Sequence, residues 1–264
     1  MKNLDVKKLL VLIAIIAIIV ILVIFGSKLV GKESKPTEEE SKEVETLVTK
    51  YFANVTFGYS TSYKGIDVLF SKDKTTYDDI DKKAILNLAI RYATENEIDV
   101  SVSSEIIKLI NNSGKYGDVS NYAAYKGEGL RKAIKELYGV DFKDGSEISD
   151  YGFLYDFIYV YDYDIYFMKR NQTTDIYDSN KGIDYTIVNT SKKDDKVSIT
   201  LAIAYIYRNG NERKYAKDIN GENIIAEGLT EFPKDKAKEF DNFKFTLTKN
   251  NDGKYIFESV EKVN

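Results

Sequence analysis

From Leu9 to Phe25 every position is apolar, seventeen residues of which sixteen are aliphatic. At about 1.5 Å per residue the run covers about 25 Å, close to the roughly 30 Å hydrocarbon core of a bilayer. A helix apolar on all faces needs lipid or a complete protein shell around it. The pattern therefore predicts a transmembrane anchor over residues 9–29, with Gly26 to Val30 supplying the last turn and Lys28 reaching back to the headgroups. The partner of Leu9 to Phe25 is then the lipid bilayer. The alternative is a cleavable secretory signal with Lys2, Lys7 and Lys8 as its basic region. Its cleavage chemistry is poor, because Ile24 stands where a small residue is wanted before Gly26, and the apolar run exceeds the usual signal core.

Residues 30–40 carry Pro36 and three successive glutamates without an apolar period, the signature of a polar stalk. Thr37 and Glu40 then match a capping box. Beyond them Val44, Leu47, Val48, Tyr51, Phe52 and Val55 recur at three- and four-residue steps, predicting a helix over Glu38 to Ala53. Tyr77, Ile80, Ala84, Ile85, Leu88, Ala89 and Tyr92 predict a second, with Thr76 as its cap and an end near Glu95 and Asn96. Ser103 or Ser104 opens a short third helix carrying Ile106, Ile107, Leu109 and Ile110, which stops in the turn-rich Asn111 to Gly117. Leu130, Ala133, Ile134, Leu137 and Tyr138 form the stripe of a fourth, which Gly139 terminates.

After Gly139 the period falls from 3.6 to 2. Val197, Ile199, Leu201, Ile203, Tyr205 and Tyr207 alternate with Ser198, Thr200, Ala202 and Ala204, a long strand with one bulky and one small face. Tyr185 to Asn189, joined through Ser191 to Asp195, makes a hairpin with it. A last hairpin pairs Phe243, Phe245 and Leu247 with Tyr255 to Val260 across Asn250-Asn251-Asp252-Gly253. Gly221 to Phe240 reads as short helical or irregular structure, with Pro233 at a first helical position. The expected fold class is α+β, a helical half packed on a C-terminal antiparallel sheet of about four to six strands. A cystatin-like or NTF2-like curved sheet is a fold-level analogy and carries no function by itself. In this division residues 1–8 are a cytoplasmic tail and 41–264 an extracytoplasmic domain.

Composition narrows the chemistry. Removing Lys2, Lys7, Lys8 and Asp5 from totals of 38 basic and 42 acidic side chains leaves 35 and 41 in residues 26–264, a net charge of about −6. That balance argues against nucleic acid as a partner. The chain has no Cys, so it has no disulfide framework and no thiol to acylate. It also has no His, which removes Ser-His-Asp and Cys-His catalysis and His-ligated zinc. Trp is absent too, which weakens a carbohydrate platform, although 21 Tyr and 13 Phe leave ample aromatic surface. Lys28, Lys32 and Lys35 balance the three lysines before the span. Long domains cross largely regardless of flanking charge, so the short N-terminal tail stays cytoplasmic and the domain faces outward.

The densest aromatic segment is Tyr151 to Phe167. Read as one strand, it places Tyr159, Tyr161, Tyr163, Ile165 and Phe167 on one face and Ile158, Val160, Asp162, Asp164 and Tyr166 on the other. A half-buried core strand explains the pattern; the functional reading is a ligand surface of Tyr161, Asp162, Tyr163 and Asp164. Asp162-x-Asp164 supplies two oxygens without the loop spacing of a cation site, and no metal is assigned. Asn250, Asp252 and Gly253 echo an EF-hand loop, but Thr248 and Ser259 occupy its first and last ligand positions. Gly127-Glu128-Gly129 lacks the third glycine and the preceding strand of a dinucleotide loop. No catalytic residue and no cofactor is assigned.

Glu43-Val44-Glu45-Thr46-Leu47, the segment Ala133-Ile134-Lys135-Glu136-Leu137-Tyr138-Gly139-Val140-Asp141-Phe142 and the ending Phe243 to Lys249 with Ser259 to Val263 resemble a group of single-span, membrane-anchored proteins of low-GC Gram-positive bacteria and their wall-less relatives. The group often carries central cysteines, which this chain lacks. The resemblance implies the topology and no activity or site residue. The functional expectation is thus a membrane-anchored extracytoplasmic binding or envelope-associated module without catalytic activity, its partner a cell-envelope component or a protein. The alternatives are an Asp/Glu-dependent glycan hydrolase and an accessory subunit of a membrane complex.

Overall fold

The structure, a computed structural model, describes residues 33–53, 69–70, 72–143, 155–170, 181–209, 212–218 and 220–263. The tail at 1–8 and the anchor expected over residues 9–29 lie outside them. Among the described residues no helix is long and apolar enough to cross a membrane.

Helix α1 (Glu38–Leu47) opens on the expected capping box: the Glu40 N–H donates to the Thr37 hydroxyl, and the Glu40 carboxylate accepts from the Thr37 N–H. It continues as a π-helical run over Val48–Ala53, where the Thr49 hydroxyl donates back to the Glu45 carbonyl at 2.8 Å. The second predicted helix divides into two elements. Thr76 caps only a 3-10 turn (Tyr77–Asp79), because Asp79 accepts both the Thr76 N–H and its hydroxyl. Ile80 is extended, and Asp81 then caps α2 (Lys82–Glu95) by accepting the Lys83 N–H. Helices α3 (Ser104–Asn112) and α4 (Gly127–Tyr138) follow the periodicity, and Gly139 closes α4 in the left-handed conformation.

The main antiparallel sheet takes β1 (Lys74–Thr76), β5 (Lys181–Lys193), β6 (Lys196–Asn209), β7 (Glu212–Ala216), β8 (Ile224–Leu229), β9 (Asp241–Lys249) and β10 (Tyr255–Val263). Strand β6 is its hub. One edge pairs with β5 from Lys196 to Tyr207, while the other meets β9 over its first half and β7 over its second. Strands β10 and β1 extend the sheet beyond β9, and β8 extends it beyond β7. A second antiparallel sheet orders β2 (Ala123–Lys126), β4 (Ile165–Arg170) and β3 (Tyr155–Val160). The fold is α+β with helices packed against antiparallel sheets, but it has seven strands in the main sheet and three more apart from it. Strands β1 and β2 come from the half expected to be helical. Three-residue and four-residue strands carry too few alternations to show a period.

Four layers result. The bulky face of β6, with Phe243, Phe245 and Leu247 of β9 and Tyr255, Phe257 and Val260 of β10, packs beneath α1, α2 and α4 in the largest core cluster. Phe157 and Tyr166 of the small sheet close the helices from above. On the small sheet's outer face, Val160, Ile165 and Phe167 pack with Ile110 of α3. Each such side chain contributes about 1.5–3 kcal/mol on burial. The small face of β6 is covered too: Ala202, Ala204 and Ile206 leave room for Tyr215, Phe232 and Phe240. Gly221 to Phe240, expected to be irregular or helical, contains β8 and a 3-10 helix over Lys234–Glu239 with Pro233 just before it.

Candidate functional site

Tyr161 to Asp164 do not lie on one strand. Strands β3 and β4 form a hairpin whose connection is a 3-10 turn over Tyr161–Tyr163, followed by Asp164 in the left-handed conformation with φ of 52°. Asp tolerates that region better than most side chains. The alternation of Tyr and Asp runs on through the turn, which is why a period-2 reading passes over it.

Two clamps hold the connection. Arg131 of α4 donates from Nη1 to Asp164 Oδ1 at 2.8 Å and from Nη2 to Oδ2 at 2.5 Å, and the Tyr159 hydroxyl donates to Oδ1 at 2.9 Å. The Gly127 N–H, at the start of α4, donates to the Asp164 carbonyl at 2.7 Å. A Cβ on Gly127 would overlap the Asp164 carboxylate, so the absent side chain lets helix and turn meet. Partial burial opposes the Asp164 charge, but Arg131 and Tyr159 outweigh it and hold the carboxyl below its ordinary value. Asp162 faces elsewhere. Its Oδ2 accepts from Lys115 Nζ at 2.7 Å and from the Tyr116 hydroxyl at 2.9 Å, and these two partners, Lys115 foremost, lower its pKa.

The two aspartates therefore brace the turn against α4 and the segment after α3, and do not converge. Among the described residues no group of three or more acidic side chains is placed to hold a metal ion. The tyrosines point outward: Tyr161 is 80 % exposed and Tyr163 42 %. Tyr161 stands perpendicular to Tyr159 at 6.2 Å between centroids, and Tyr159 stacks at 4.5 Å on the fully buried Tyr166. Lys115, Tyr116 and Arg131 are absent from the sequence reading of this site, which has Tyr159 only as a neighbour of Tyr161 on a strand face. Arg131 lies among the polar positions of an amphipathic helix, where nothing in the pattern separates a clamp from a solvated charge.

No protein family, curated protein or solved structure matches this chain.

A groove of about 520 Å³ lies between α1, the end of α2, Glu136 of α4 and the start of β10. Its aromatic lining is already engaged. The Tyr51 hydroxyl accepts from Asn96 Nδ2 at 3.0 Å, Tyr92 donates to Glu136 at 3.2 Å and Tyr255 donates to Glu40 at 3.0 Å. Burial, reinforced by Glu136, pushes the Tyr92 hydroxyl well up and keeps it protonated. Across the described residues, every carboxyl group with a displaced pKa is displaced downward, as for Glu40, Glu95, Asp99 and Asp164. General-acid hydrolysis requires the opposite displacement.

Proposed function

We propose that this chain is a membrane-anchored extracytoplasmic binding module without catalytic activity, presenting the Tyr161–Asp164 turn to its ligand. The observation that carries this reading is a pair of exposed tyrosines on a turn held by both of its aspartates. A turn held by its aspartates presents both tyrosines from a fixed stretch of backbone, which lowers the ordering cost of binding. The apolar run Leu9 to Phe25 supports the anchor, and the absence of His and Cys supports binding over catalysis. The anionic balance of residues 26–264 favours a cell-envelope component or a protein over nucleic acid.

The test uses the full chain in cells with a cell envelope. The protein is expected to remain with membranes after alkaline carbonate extraction, and trypsin added to intact cells is expected to remove its C-terminal domain. Solubilised in detergent, it should retain envelope material that a Tyr161→Ala/Tyr163→Ala variant does not. Recovery in the soluble fraction would overturn the anchor, and equal retention by the variant would overturn the turn as the ligand surface. Glycan hydrolysis abolished by one carboxylate substitution would replace binding with catalysis.

A further inference from the structure

We infer that the end of the main sheet formed by the β5–β6 and β9–β10 turns is the bilayer-facing end of the domain, set against the lipid headgroups. The inference rests on the anchor in the reading above and adds where the domain meets the membrane.

Backbone hydrogen bonds fix where the chain enters the domain. The Ser34 N–H donates to the Lys192 carbonyl at 2.9 Å, and the Lys192 N–H donates to the Ser34 carbonyl at 2.8 Å. This antiparallel bridge joins Ser34 to β5 one residue before the strand ends at Lys193. Followed backward from Ser34, the chain therefore heads the way β5 runs into its turn. Further on, Glu40 accepts from Lys192, Lys249 and Tyr255, which holds the start of α1 against the same strand ends. The two turns are neighbours, since the Lys249 N–H donates to the Asp195 carbonyl at 3.2 Å.

Length then decides which end meets the bilayer. From residue 29, where the span is expected to end, to Ser34 a fully extended chain covers at most about 18 Å. Strand β6 runs 14 residues away from the same end, which is about 45 Å. Strand β7 pairs with the far part of β6, from Tyr205 to Asn209, and β8 pairs with β7. A tether this short, attached at the turns, brings them to the headgroups and leaves β7 and β8 outward.

The chemistry of this end suits a headgroup layer. Residues 192–196 and 249–254 carry five lysines and three aspartates. Lys192 and Lys249 share Glu40, and Lys196 pairs with Glu258. Along the entering chain Glu33, Glu38 and Glu39 are balanced by Lys28, Lys32 and Lys35. The end is thus near neutral, whereas residues 26–264 together carry about −6, so an anionic bilayer repels the flanks of the domain and not its tethered end. Among the described residues no exposed large apolar side chain falls in these two turns, so their contact is with headgroups and not with hydrocarbon.

The chain has no Cys, so single cysteines can report position. Asp195→Cys, Asn251→Cys and Glu212→Cys, all at exposed sites, are labelled with a fluorophore in the full chain. The labelled protein is reconstituted into phosphatidylcholine vesicles containing a nickel-chelating headgroup lipid, a short-range quencher. Labels at positions 195 and 251 should be quenched severalfold more than the label at 212, and chelation of the nickel should abolish the difference. Unchanged circular dichroism of the three variants shows that the fold is kept. Quenching at 212 that equals or exceeds that at 195 and 251 overturns the inference, while flotation of the protein with the vesicles leaves the anchor standing. A chain that does not float with the vesicles overturns both.

Discussion

Of the acidic run Glu38-Glu39-Glu40, only the third side chain leaves water. Glu40 Oε1 accepts from Lys192 Nζ at 2.7 Å, Lys249 Nζ at 3.1 Å and the Tyr255 hydroxyl at 3.0 Å, while Oε2 accepts the Thr37 N–H. One carboxylate thus ties the start of α1 to β5, β9 and β10. Lys192, then the Thr37 N–H, hold its pKa far below the usual carboxylate range despite burial. Glu40→Gln is expected to lower unfolding free energy by about 2 kcal/mol at pH 7, read by urea denaturation. Because the folded pKa is depressed, the charge contributes fully above the unfolded value of about 4.3 and is lost as pH falls towards the folded value. The gap between wild type and variant should therefore narrow below about pH 4. The capping box is legible in Thr37 and Glu40. The lysines and tyrosine lie 152, 209 and 215 residues away, and no local pattern announces them.

At the scale of elements, long amphipathic segments were legible and junctions were not. α4 shows both outcomes. Its stripe and its Gly139 end follow the periodicity, whereas Gly127 and Gly129, which resemble a failed nucleotide loop, are contact points in its first turn. A Cβ at Gly129 would run into the Asp99 carbonyl and the Val100 side chain. Helix propensity alone predicts that Gly129→Ala gains about 1 kcal/mol. Overlap with backbone, which must shift to relieve it, costs about 1–3 kcal/mol. The variant is expected to be destabilised by up to about 2 kcal/mol in urea denaturation, and a gain would mean that the Asp99 segment yields freely. A similar junction falls in β10. A bulge between Phe257 and Ser259 shifts the register so that Val260, and not only every second residue from Tyr255, reaches the core.

For the whole molecule, the pairing of β6 sets a stability gradient. Its Ser198–Ile203 stretch is bonded on both edges, whereas among the described residues β8 pairs with β7 alone and with broken register. Native-state hydrogen exchange should find the slowest amides in Ser198–Ile203 and much faster ones in Ile224–Leu229. Equal protection would mean that the sheet opens as one unit. The sequence by itself determined the apolar run at the N-terminus, the capping box, most of the helices and the two principal hairpins. Each of these is written in a period or a turn that spans neighbouring residues. It also determined which chemistry is absent, since a missing His or Cys needs no coordinates. Only the tertiary structure decided that Tyr161 to Asp164 is a turn and not a strand face. It alone brought Lys115 and Arg131 to the two aspartates, and it alone placed Glu40 among the strands. Those contacts join residues far apart in the chain, and the charges that make them look, one by one, like any solvated side chain.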